Sequence, residues 1–107
     1  MKSLFGLLFA AALLGPQIAQ AQSPAPVGLW QGLNSGDYIN VQANGSCSAS
    51  GSINVAGTCT WQSSAAGGIL TMTYPWTLAP GHIYWNIIWI DRNTMMVNSV
   101  ERFVRRG

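Results

Sequence analysis

Gly81-His82-Ile83-Tyr84-Trp85-Asn86-Ile87-Ile88-Trp89-Ile90 is the longest run of strand-forming residues in the chain. Strand geometry puts Ile83, Trp85, Ile87 and Trp89 on one face and Tyr84, Asn86, Ile88 and Ile90 on the other. Both faces are mostly apolar. Such a strand is either covered on both sides, or it offers one apolar, aromatic face to a ligand.

Outward from this strand the same two-residue period recurs. From Asp37 to Ala43, Ile39, Val41 and Ala43 point one way and Tyr38, Asn40 and Gln42 the other. Ala43-Asn44-Gly45 reads as a three-residue hairpin loop with Gly45 in the left-handed conformation. That loop sets Val41 opposite Cys47 and Ile39 opposite Ala49, and leaves Ser46, Ser48 and Ser50 on the far face. A two-residue Asn-Gly loop would pair Cys47 with Gln42 and break the pattern.

Ile53 to Gln62 reads as a strand kinked near Ala56-Gly57, with Cys59 and Trp61 inward. Ile69 to Trp76 puts Leu70, Met72, Tyr74 and Trp76 on one face, and Pro75 marks an edge or bulge. Val27 to Gln31 opens the ordered chain. Thr94–Val97 and Val100–Arg105 close it, with a break near Asn98-Ser99. No helical period follows residue 21. About 7–8 short strands between Gly/Asn/Ser turns predict an all-β fold, a small antiparallel meander barrel whose closure leaves no exposed edge. A two-sheet β-sandwich is the alternative.

The first 21 residues read as a cleaved signal peptide. Lys2 supplies the positive start, Leu4 to Leu14 an apolar run, and Ala19-Gln20-Ala21 the cleavage site. A helix over Leu4–Leu14 would reach only roughly 16 Å, about half a bilayer core. Export to a periplasmic or extracellular location follows. Residues 22–26 read as a flexible Pro/Ala/Ser leader, and 27–107 as a single β domain. Cys47 and Cys59 are the only cysteines, so an exported chain should join them in a disulfide. No metal site is expected of two thiols and one histidine, and no cofactor motif is present.

After residue 21, four arginines face three carboxylates, a net charge of +1. With no basic stripe, nucleic-acid binding is not expected. The mature chain holds no apolar stretch long enough to span a membrane as a helix. Asp37, Asp91 and Glu101 are not spaced as an acid/base pair, and although one histidine, His82, and many serines are present, no nucleophile motif surrounds any of those serines. The chain therefore reads as non-catalytic. Its functional lead is aromatic: Trp76, Tyr84, Trp85 and Trp89 are candidate ligand-binding residues for a small hydrophobic or carbohydrate ligand or an envelope protein.

Two resemblances sharpen these expectations. Gly28-Leu29-Trp30, with a late arginine, resembles the lipocalin-like (calycin) barrels. There a Gly-x-Trp opens the barrel and an arginine packs across the tryptophan, which implies a structural pair of Trp30 with Arg102 or Arg105. Ser35-Gly36-Asp37-Tyr38 resembles the inhibitory loop of the small periplasmic inhibitors of lysozyme, except that the Tyr spacing departs by one residue. That likeness implies a partner-binding loop against an envelope hydrolase.

Overall fold

Eight strands follow one another along the chain: β1 (Gly28–Gly32), β2 (Tyr38–Val41), β3 (Ser46–Ser50), β4 (Val55–Ser63), β5 (Gly67–Tyr74), β6 (Gly81–Asp91), β7 (Thr94–Val97) and β8 (Glu101–Arg105). They are seen in a computed structural model that describes residues 23–107. The expected signal peptide and Gln22 lie outside the described residues. Each strand pairs antiparallel with the next, and β8 returns to β1, so the sheet is a closed barrel. The sandwich alternative is thereby set aside.

The β2–β3 hairpin has the register its hydrophobic pattern requires, with Val41 opposite Cys47 and Ile39 opposite Ala49. The Gly45 N–H donates to the Gln42 carbonyl, and Gly45 has φ of 95°, a conformation that costs a residue without Cβ little. At the other hairpin break, Asn98 and Ser99 take φ of 54° and 58°.

Inward side chains fill the barrel. Trp30, Ile39, Val41, Cys47, Ala49, Leu70, Met72, Trp85, Ile87, Met95, Val97 and Phe103 form one buried cluster. Trp30, Leu70, Met72, Ile87 and Met95 are fully buried there, so the interior is filled by side chains. The Cys47–Cys59 disulfide is formed, tying β3 to β4 with Cα atoms 5.9 Å apart. On the outside, β3 to β5 present Ser46, Ser48, Ser50, Thr58, Thr60, Gln62, Thr71 and Thr73, all at least partly exposed.

Two strands end earlier or later than the sequence suggests. Strand β5 stops at Tyr74, because Pro75 has no N–H for the ladder, and Trp76 passes into the loop. Strand β4 begins only at Val55, since Gly51–Asn54 are used to turn the chain.

Candidate functional site

Up-and-down topology gives the barrel two ends. One end gathers the β2–β3, β4–β5 and β6–β7 turns, the N-terminus of β1 and the C-terminus of β8. Residues 23–27 lie across it. From composition residues 22–26 are a flexible leader, but from Ser23 onward the segment is a strap with a side-chain donor on most of its carbonyls. The Trp61 indole N–H donates to the Ser23 carbonyl at 3.0 Å, Trp89 to Pro24 at 3.1 Å and Trp30 to Pro26 at 3.0 Å. Arg105 Nη1 donates to the Val27 carbonyl at 2.7 Å. The Ser23 hydroxyl makes the return contact, to the Ser64 and Ala65 carbonyls.

The physical reason lies in the tryptophans. An indole ring is large enough to fill a barrel end, but its N–H needs an acceptor once water is displaced. Carbonyls of paired strands are already occupied. A Pro-rich segment supplies free ones, because its prolines have no N–H to pair in a ladder.

Arg105 lies over the Trp30 ring, with its guanidinium carbon 4.4 Å from the ring centroid. Its Nε and Nη2 also donate to the Arg92 carbonyl. This fork of donors fixes β8 against the strap and the β6–β7 turn. Of the two arginines expected to face Trp30, Arg105 does so. Arg102 points outward, because it is one residue out of phase with the inward Phe103.

Beside the strap runs an open groove of about 620 Å³. Its walls include Pro24, Ala25, Val27, Ala66 and Trp89, and Asp91, Arg92 and Arg105 line it as well. Trp89 also stands 5.5 Å from Trp30, ring to ring. The Arg92 guanidinium has no partner among the described residues, whereas each of the three guanidinium nitrogens of Arg105 donates a hydrogen bond.

The four candidate ligand-binding aromatic residues do not share a surface. Trp85 belongs to the core, and Trp89 is half-buried at the strapped end. Tyr84, 63% exposed, is on the outer face, since it alternates with Trp85. There it lies near His82, whose Nδ1 is 3.0 Å from the Thr73 hydroxyl. Trp76, 69% exposed, packs edge-on to Tyr74 in the β5–β6 loop at the opposite end.

That opposite end also holds Ser35, Gly36 and Asp37, in the loop leading into Tyr38. Glu101 accepts hydrogen bonds from the Asn34 and Ser35 N–H groups, each at 3.0 Å. Asp37 accepts from the Ser52 hydroxyl and N–H. The Ser35 backbone N–H is the main reason that the Glu101 carboxyl is held below the usual carboxylate range. Asp37 is lowered too, chiefly by the Ser52 hydroxyl and then by its N–H. Both carboxylates thus brace loops. Among the described residues no three His, Cys, Asp or Glu side chains gather as a metal-holding group.

Sequence reasoning missed the strap and the groove. The only signal for them was the position of Trp61 and Trp89, inward and near strand ends. No protein-family profile, curated protein or solved structure matches this chain.

Proposed function

We propose that the chain is an exported, non-catalytic barrel that binds a small apolar or aromatic ligand in the groove beside its N-terminal strap. The observation that carries this reading is the groove itself: about 620 Å³, walled by Trp89 and small apolar residues. That size and lining match small-molecule sites, which measure roughly 300–1,000 Å³. Arg92 and Arg105 against Asp91 leave the lining with one net positive charge, which favours a ligand with an acidic group. Export is supported by the Cys47–Cys59 disulfide, which belongs to an oxidising compartment. Kinship with lipocalin-like barrels is supported by the packing of Arg105 on Trp30.

The test is titration with anilinonaphthalene sulfonate, an acidic aromatic probe, followed by probe fluorescence and calorimetry. Saturable one-site binding is expected. Ala66→Arg should abolish it by filling the groove, with the unfolding midpoint unchanged. Binding that survives this substitution, or none at all, would reject the groove.

A second reading is favoured by the bracing of the Ser35–Tyr38 loop by Glu101 and Asp37. A preorganised loop suits an inhibitor of an envelope hydrolase such as lysozyme. Tyr38→Ala should then weaken inhibition of lysozyme. Equal inhibition by the two forms, or none by either, rejects it.

A further inference from the structure

One part of the barrel wall departs from the Ser/Thr pattern of the rest. The outward residues of β3, β4 and β5 are mostly Ser, Thr or Gln, whereas Ile69, Tyr84 and Ile88, all exposed, occupy neighbouring positions on β5 and β6, and Ile90 continues the series toward Asp91. The register fixes what lies among them. Gln62 of β4, Ile69 of β5 and Asn86 of β6 form one row across the sheet, and Thr60, Thr71 and Tyr84 form the next. Along β6, Asn86 falls between Tyr84 and Ile88 on the same outer face.

A depression of about 290 Å³ opens over the first row, and its lining includes Gln62, Ser64, Gly68, Ile69 and Asn86. Gly68 keeps it open, since a Cβ there would meet the Gln62 carbonyl and the Trp61 ring. The side-chain amides of Gln62 and Asn86 have no partner among the described residues. At this volume, near the roughly 300 Å³ lower limit of small-molecule sites, the depression takes a single ring.

We propose that this depression binds a neutral saccharide, with one sugar ring over Ile69 hydrogen-bonded by Gln62 and Asn86, and Tyr84 stacked on the next ring. Charge narrows the ligand first. Strands β2, β3, β4, β5 and β7 contain no Asp, Glu, Lys or Arg, and β6 has none before Asp91. An exposed sheet normally mixes charges. Here an ionic ligand would find no counter-charge in the lining. A hydrocarbon would cover two amides and give them nothing to bond. A hydroxyl group both donates and accepts, and so does each amide, so neighbouring hydroxyls on a ring can satisfy the carbonyl and the NH₂ of one side chain.

The arrangement also selects against a protein partner. A protein interface has an apolar centre and a polar rim. In this patch the polar group is central: Asn86 is flanked by Tyr84 and Ile88 along β6 and by Ile69 across the sheet. Whatever lands there must hydrogen-bond that amide or leave it unsatisfied. An extended peptide finds no free edge to join, because the barrel is closed. A sugar meets both demands, with C–H faces for Ile69 and Tyr84 and hydroxyls for the amides. Tyr84 stands two residues from Asn86, roughly 7 Å by strand rise, within reach of the second ring of a disaccharide.

The experiment is titration of the isotope-labelled exported chain with neutral disaccharides of glucose, galactose, mannose and N-acetylglucosamine, followed by proton–nitrogen NMR. The side-chain NH₂ signals of Gln62 and Asn86 should move together and saturably with at least one of them. Tyr84→Ala and Asn86→Ala should each weaken that binding roughly fivefold, the scale of one ring contact or one hydrogen bond. Thr58→Ala, on the same face two rows away, should leave it unchanged. These side chains are exposed, so the unfolding midpoint should stay where it is, and it is measured as the control. No movement with any of the four sugars overturns the proposal, as does equal binding by the Tyr84→Ala and Asn86→Ala chains. Tighter binding of digalacturonate than of the neutral sugars would make the site an anion site and overturn it too. Shifts confined to the Trp89 indole would put the sugar in the groove beside the strap, and would equally refute this site.

Discussion

Removing Ser23–Pro26, so that the chain begins at Val27, should destabilise the barrel without altering its strands. The magnitude follows from what each lost carbonyl was doing. Trp30 is fully buried, and its indole N–H donates to Pro26. A buried donor left unmade costs about 1–3 kcal/mol. Pro26 is itself fully buried, and losing that contact adds about 1 kcal/mol by area. Trp61 and Trp89 are half-exposed, so water can replace Ser23 and Pro24 at little cost. The total is about 2–4 kcal/mol, a large share of the roughly 4–13 kcal/mol expected of a domain this size. Equilibrium urea unfolding with the disulfide intact measures it. With m near 1–1.5 kcal/mol/M, the midpoint should fall by roughly 2 M. The control is Pro24→Ala, which keeps the carbonyl that Trp89 uses and changes only an exposed ring; it should shift the midpoint very little. A truncated chain within about 0.3 M of the intact one would refute the assignment of the strap as a structural acceptor.

Other outcomes follow from the same geometry. Cys47→Ser with Cys59→Ser opens a link of sequence separation 12. It should cost about 3 kcal/mol by the chain-entropy relation, read as a lower urea midpoint in both truncated and intact chains. Arg105→Lys keeps the charge but not the fork that reaches Val27 and Arg92 while covering Trp30. Thermal melts should show a loss of about 1–2 kcal/mol, and a neutral result would deny the fork its role. Acid should loosen the loops braced by Glu101 and Asp37. Their native pKa values are lowered, so their contribution is present above the ordinary carboxylate range and is lost as pH falls through the depressed native values. Glu101→Gln should flatten the acid limb of the midpoint-against-pH curve; an unchanged limb would place the acid sensitivity elsewhere.

Most of the architecture was legible because it rests on local alternation. The pairing of Val41 with Cys47 followed from asking which loop length keeps Ile39, Val41, Cys47 and Ala49 on one face. Closure followed from eight paired strands needing no free edge. The site was less legible, for two reasons. Alternation says which face a residue takes, not how far along the barrel it sits, so Trp76, Tyr84, Trp85 and Trp89 could be grouped by type although they occupy a loop, the outer face, the core and one end. The strap needed the topology before residues 23–27 could be seen lying across the turns of one end.

The strap poses a harder problem, and the tryptophans contain its solution. Acceptors on a backbone leave no trace in side-chain identity, so Ser-Pro-Ala-Pro has the composition of a linker. Donors do leave a trace. Trp61 and Trp89 fall at inward phase near the ends of β4 and β6, where strand carbonyls are consumed by the ladder. An inward indole at a barrel rim is therefore met by water or by a carbonyl from outside the sheet, and the buried Trp30 below them only by the latter. Two such indoles at one end, with Trp30 below them, call for an extended segment with several unpaired carbonyls in a row. The only stretch adjoining β1 that fits is the one with two prolines, since proline cannot spend a donor on a strand and so cannot be drawn into the ladder.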